Sequence, residues 1–241
     1  MFSWFASQLL VIAKIFAATL SHIDPARSGA GSLWRHDDDV TAPELDTRTG
    51  SSIEGAAEFV TPVLNKRSVH AIQRVLVIGI SGAGKSTFAR RLAAITGLPV
   101  IHLDTEFWKP GWKVTERAEW RAKVASLIER EAWIMDGNYG ASLDLRLPRA
   151  DTVVWFDYPR LVCLTRAVWR VATTCGRVRA DLAPGCPEKF DLEFLRFIWD
   201  FHAKSRPQIV GMLADHGGHL APIVFRRDRE VRQFLDGVAA N

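Results

Sequence analysis

A short apolar run, Val75 to Ile78, leads directly into Gly79-Ile-Ser-Gly-Ala-Gly84-Lys85-Ser86, which fits the pattern G-x-x-x-x-G-K-[ST]. Few features restrict a fold so sharply. Glycines let the backbone turn tightly and wrap successive N–H groups around an anion. Gly79, Ser81, Gly82, Ala83, Gly84, Lys85, Ser86 and Thr87 are therefore candidate nucleotide-binding residues. Lys85 adds a positive charge near the β and γ phosphates, and the Ser86 hydroxyl is placed to ligate Mg²⁺. The run that follows puts Phe88, Leu92 and Ile95 on one helical face and stops at Gly97, with Pro99 beyond. The positive end of that helix dipole falls at the same phosphates. A β-branched apolar strand, a glycine loop and a helix in this order predict a buried parallel sheet.

The rest of the chain supports that alternation. Pro99 to Leu103 reads as a second strand, ending at Asp104. An Asp at the carboxyl end of a parallel strand faces the crevice where ligands bind, although Asp also favours helix caps and turns. Phe107, Trp108 and Trp112 follow in a Pro/Gly-containing loop, either to stack on a ligand or to cover the sheet edge. Thr115 is a fair helix cap ahead of Trp120, Val124, Leu127 and Ile128, an apolar stripe. Ala132 to Met135 reads as the third strand, closed by Asp136-Gly137-Asn138-Tyr139, and Asp136 stands where a second Mg²⁺ ligand belongs. Asp104, Trp108, Asn138 and Tyr139 are the candidate substrate residues. A fourth strand, Thr152 to Phe156, precedes a helix expected to turn Leu161, Leu164 and Val168 to the core. That helix carries Arg166 and Arg170 on one face, with Arg177 and Arg179 close behind. Residues 174 to 189, broken by Gly and Pro, read as an inserted lid. Asp191 is expected to cap a helix with Phe194, Phe197, Ile198 and Phe201 buried. Pro222 to Phe225 and Arg229 to Val238 complete the pattern as a strand and a helix.

The chain's 241 residues carry a formal net charge of +4, unevenly spread. Residues 1–73 hold 6 Lys/Arg against 8 Asp/Glu, and the remainder holds 25 against 19. The basic excess suits a nucleotide and is too mild to demand nucleic acid. Three cysteines without C-x-x-C spacing give no zinc or disulfide framework, which fits reduced thiols in the cytoplasm. Residues 1–69 read as an apolar leader and a Ser/Gly/Pro/charge-rich disordered linker, and residues 70–241 as the folded domain. Lys14 argues against a membrane anchor, since a central Lys costs roughly 3 kcal/mol on insertion scales. No positive charge precedes the apolar region, as a secretory signal requires. The leader is read instead as an upstream extension set by start-site assignment.

The succession GISGAGKST, HLD-x-x-FWKPGW, WI-x-DGNY, LDLRLPRADTV, DYPR and GCPEKFD-x-EFL resembles the bacterial topology modulation (FlaR-like) group. These are small P-loop ATPase- or kinase-like proteins related to adenylate kinase, and the match runs from about Val75 to Phe201. The resemblance implies a nucleoside-monophosphate-kinase-type core with a lid. Asp136-Gly137 matches the Asp-Gly of adenylate kinases, and Arg166 and Arg170 match the R-x-x-x-R pair that enters the lid. Gly140 stands where those enzymes carry an acceptor-holding Arg, which puts AMP as the acceptor in doubt. The family's name describes an effect and does not license DNA binding.

The expectation is an α/β P-loop fold: a parallel sheet of about five strands, helices on both faces and an arginine-bearing lid. The cofactors are ATP and Mg²⁺. The expected activity is γ-phosphoryl transfer to a small acceptor, with Lys85, Arg166, Arg170 and Asp104 as catalytic residues and Ser86 and Asp136 on the metal. Arg177 joins the nucleotide-binding set. Two rival readings are an ATP-dependent regulator that meets DNA and an ATP-binding module with little turnover. The arginines are otherwise solvated helix-face charges.

Overall fold

The structure is a computed structural model, described here over residues 72–240. The expectations for residues 1–69 lie outside the described residues. Five strands form one parallel sheet in the order β2-β5-β1-β6-β7. They are β1 (Arg74–Gly79), β2 (Val100–His102), β5 (Trp133–Asp136), β6 (Thr152–Phe156) and β7 (Ile223–Phe225). A separate two-stranded antiparallel hairpin pairs β3 (Trp108–Lys109) with β4 (Lys113–Val114). The register aligns Val77 with Asp136 on one side and with Val154 on the other. In β5 every residue is buried, and in β1 and β6 every residue but the first. Such strands need cover on both faces, which explains their unbroken apolar runs.

Helix α1 (Lys85–Thr96) follows β1, and α8 (Asp228–Ala239) packs against it. Phe88 of α1 meets Phe156, Phe225 and Phe234 at 5.4, 5.8 and 5.9 Å between ring centroids, so two strands and two helices share one aromatic knot. Gly97 caps α1 at φ 74, as its position predicts. Ile95 is left 38% exposed instead of joining Phe88 and Leu92 in the core.

Several local expectations give way. Leu103 opens a short helix, α2 (Leu103–Phe107), where the sequence read continued strand. Thr115 does not cap α3 (Arg117–Ile128), because its buried hydroxyl donates to the Phe107 carbonyl. Glu116 caps instead, accepting from the Ala118 and Glu119 amides at 2.9 and 3.4 Å. After the single turn α4 (Leu143–Arg146), α5 (Arg160–Thr174) buries Cys163, Leu164, Ala167 and Val171. Leu161 is 63% exposed. The small side chains turn inward because α5 runs close against the glycine loop, where bulk has no room. On α6 (Leu192–Asp200), Asp191 caps as expected, but Phe194 and Phe197 line a cleft while Leu195, Ile198 and Phe201 take the core. Helix α7 (Ser205–His216) had no counterpart in the sequence reading. Among the described residues no helix is long and apolar enough to cross a membrane.

Candidate functional site

Strand order reverses at β1: the chain leaves it for β2, returns to β5, and then crosses to β6 and β7. Ligands of open α/β sheets bind at the carboxyl ends of strands beside such a reversal. The residues after β1, β2 and β5 converge there around a cleft of about 390 Å³.

The loop after β1 is held by backbone fit. Gly79 has φ 126, and a Cβ on it would lie 2.2 Å from the Phe156 carbonyl oxygen. A Cβ on Gly82 (φ 86) would lie 2.5 Å from the carbonyl oxygen of Cys163 in α5. Side chains are excluded at both. Lys85 Nζ donates to the Gly79 and Ile80 carbonyls at 2.8 and 3.0 Å, arching over the loop mouth. Burial pulls its ammonium below the ordinary lysine value, and Asp136 and Asp104 pull it part of the way back. The first helical bond of α1 runs from Phe88 N to Gly84 O, and no side chain caps this N-terminus. The amides of the first turn therefore remain as donors for an anion.

Beyond β5, the Asp136–Tyr139 corner is tied from below. Asn138 grips Gly79 twice, accepting from its amide at 2.6 Å and donating to its carbonyl at 2.8 Å. The structure thus gives the Asn138 side chain the task of joining two loops, although it also lines the cleft. Arg146 is wholly buried and donates to the carbonyls of Ser142, Gly137, Asn138 and Tyr139. Sequence reasoning missed it. A charged residue inside the apolar run Leu143-Asp-Leu-Arg-Leu147 was the available signal. Asp136 is 6% exposed and lies 2.9 Å from His102 Nδ1.

Asp104, in the first turn of α2, accepts a 2.5 Å hydrogen bond from the Tyr139 hydroxyl. Burial raises its carboxyl above the ordinary range, and the Tyr139 bond works against that rise. Tyr139 (φ 42) and Trp112 (φ 61) are the non-glycine residues with positive φ among those described, and both line the cleft. Such backbone strain clusters where side chains must be aimed.

An irregular segment, residues 175–191, covers the loop from the α5 side. Its Asp181 carboxylate pairs with Arg179 at 2.8 Å. Glu188 pairs with Arg179 and lies 3.1 Å from Arg170 Nε. That Nε–H is buried without an aligned hydrogen-bond acceptor among the described residues. Burial and the neighbouring Arg179 hold Arg170 below the ordinary arginine value. Arg166 lines the cleft too but is engaged elsewhere, 2.6 Å from Asp228. Arg177, expected at the nucleotide, is exposed and not among the cleft-lining residues, and Arg179 is the segment's arginine that faces inward. The backbone there closes the neck of the segment: the Glu188 amide donates to the Arg177 carbonyl at 2.9 Å, and the Gly176 amide donates to the Glu188 carbonyl at 2.8 Å.

Ser81, Gly82, Gly84, Lys85, Ser86, Thr87, Asp104, Trp108, Asp136, Asn138, Tyr139, Arg166 and Arg170 all line this one cleft. Gly79 and Ala83 shape the loop from behind. The uncapped helix start, the under-partnered Arg170 and the oxygen donors Ser86 and Asp136 fit a nucleotide's phosphates and a hard cation such as Mg²⁺.

No family model matches the chain, and no curated protein matches it. Among solved structures it is similar to a gluconokinase from Sinorhizobium meliloti 1021, with 18% identity, 70% of this chain and 92% of that chain covered, and a TM-score of 0.40. A shikimate kinase from Bacteroides thetaiotaomicron shares 18% identity over 69% of this chain and 98% of its own, with a TM-score of 0.40. A shikimate kinase from Acinetobacter baumannii, in complex with shikimate, shares 16% over 71% and 93%, with a TM-score of 0.42.

Proposed function

We propose that the chain is an ATP-dependent phosphotransferase that moves the γ-phosphoryl group to a hydroxyl of a small acceptor. One observation carries this reading: a half-buried carboxylate, Asp104, faces the P-loop lysine across the same cleft. A binding module has no use for a base there. In the reaction the acceptor O–H bond breaks, a new O–P bond forms, the bond to the β-phosphate oxygen breaks, and Asp104 takes the proton. Lys85 and the first-turn amides of α1 hold the phosphates, and Arg170 and Arg179 face the charge that develops on the transferred group. Ser86 and Asp136 would hold Mg²⁺, which screens phosphate charge and orients the oxygens. Tyr139 fixes the Asp104 rotamer through its hydroxyl. Arg166 lines the same cleft and would join Arg170 and Arg179 once released from Asp228, its partner at 2.6 Å.

The motif succession supports a place in the topology modulation (FlaR-like) group, and residues 175–191 are proposed to act as the lid. Dependence on ATP supports a cytoplasmic location. The test is ATP consumption by the full chain against a panel of hydroxyl compounds, repeated with Asp104→Asn. Consumption should require an acceptor, and Asp104→Asn should lose turnover by about 10²-fold or more while ATP affinity changes little. Acceptor-independent consumption that Asp104→Asn leaves intact would refute the reading.

A further inference from the structure

Arg146 is wholly buried, yet it is not among the residues that line the cleft. A guanidinium taken out of water is strongly destabilising unless its N–H groups find acceptors. Here four backbone carbonyls supply them. Nη1 donates to Gly137 at 3.0 Å, Nη2 to Tyr139 at 2.8 Å and to Asn138, and Nε to Ser142 at 3.3 Å. Gly137, Asn138 and Tyr139 are consecutive. Carbonyls alternate in direction along a strand, so β5 cannot simply run on past Asp136 and present three in a row to one side. The chain must bend.

The strain of that bend falls on Tyr139. Its φ is 42, in the left-handed region that disfavours a residue with a Cβ by about 1–2 kcal/mol. Its carbonyl accepts three bonds, from Arg146, from the Ser142 amide at 3.0 Å and from the Ser142 hydroxyl at 3.1 Å. Strain held by several bonds in this way persists where it aims a side chain. The Tyr139 ring packs against Phe107 and Trp120 at 4.7 and 5.0 Å between centroids, and its hydroxyl donates to Asp104 at 2.5 Å. We infer that Arg146 is a positioning residue of the transfer site, holding the corner in the shape that brings the Tyr139 hydroxyl to Asp104. An arginine suits this task better than a lysine, because a planar fork serves several fixed carbonyls at once. Its effect on turnover rests on the phosphotransferase reading; its effect on Tyr139 does not.

Tyr139 and Tyr158 are the two tyrosines of the chain, so the full-length protein labelled with fluorotyrosine gives two fluorine NMR signals, which Tyr158→Phe assigns. Asp104→Asn should move the Tyr139 signal, because the phenol loses its carboxylate partner. In an Arg146→Met background the same change should move it less than half as far, while the Tyr158 signal, which reports the fold, stays in place. Arg146→Met should also lower turnover by about 10- to 100-fold with little change in ATP affinity. Added to Tyr139→Phe, it should lower turnover little further. A Tyr139 signal that responds to Asp104→Asn as fully in Arg146→Met as in the parent protein overturns the inference, and so do turnover losses that simply add. Arg146→Lys keeps the charge and loses the fork; it is read in the same way and replaces Arg146→Met if the Tyr158 signal shows that variant unfolded. Full turnover in Asp104→Asn would instead sink the phosphotransferase reading and leave the placement of Tyr139 to the NMR comparison.

Discussion

Lys85 reaches back to two loop carbonyls, at 2.8 and 3.0 Å, and can swing to a phosphate without disturbing the fold. Lys85→Ala should therefore weaken Mg-ATP binding and lower turnover by about 10²- to 10³-fold with little change in Tm, as nucleotide titration and a thermal melt would show. Asp104 allows a pH prediction with a definite sign. It must be ionised to take a proton, and its raised pKa moves the acid limb of the rate profile above the ordinary carboxylate range. The Tyr139 bond opposes the rise, so Tyr139→Phe should move the limb to still higher pH. A limb that stays in place in Tyr139→Phe would remove Asp104 from the rate profile. Arg146 is buried against four carbonyls, and Arg146→Leu strands them at a cost of about 3 kcal/mol, read as a fall in Tm. The cysteines differ by environment. Burial pushes the Cys163 thiol up to about 11, and Cys186 is also buried, whereas Cys175 is exposed. A thiol reagent at neutral pH should modify one site quickly and the others only on unfolding.

Among elements, the close seat of α5 against the glycine loop has the sharpest consequence. Gly82→Ala must push a Cβ 2.5 Å from the Cys163 carbonyl, so Tm and nucleotide affinity should both fall. Retention of both would show that the loop and α5 part easily. This contact also explains what the sequence did and did not disclose. β1, β5 and β6 were legible because strands buried on both faces leave continuous apolar runs, and the loop was legible because phosphate chemistry restricts residue types. The inward face of α5 was not, because periodicity weights Leu161 above Cys163 and Ala167, while close approach selects the small residues. Thr115 looked like a cap because its local pattern is right, yet a carbonyl eight residues away claims its hydroxyl. The cleft role of Phe194 and Phe197 was hidden for a similar reason: an aromatic that walls a ligand site and one that fills a core share the same helical spacing.

Across the whole molecule, the covering segment is fastened to the hairpin. Gly111 N donates to Gly185 O at 2.9 Å, the Trp112 ring N–H to Pro187 O at 3.0 Å, and Cys186 Sγ to Lys109 O at 3.3 Å. Trp112 of the hairpin and Asp181 and Glu188 of the covering segment, all lining the cleft, are therefore parts of one fastened piece. Two ligands that each settle such a piece help one another, and thermodynamic linkage makes the help symmetric. If Mg-ADP tightens the second ligand by some factor, the second ligand tightens Mg-ADP by the same factor, which for coupled sites typically falls between about 5 and 150. Trp112→Phe keeps an aromatic face and deletes one fastening, so it should bring that factor toward one while each ligand alone still binds. Calorimetry of each ligand in the presence and absence of the other measures the factor directly, and an unchanged value in the variant would mean that this tie carries no cooperativity.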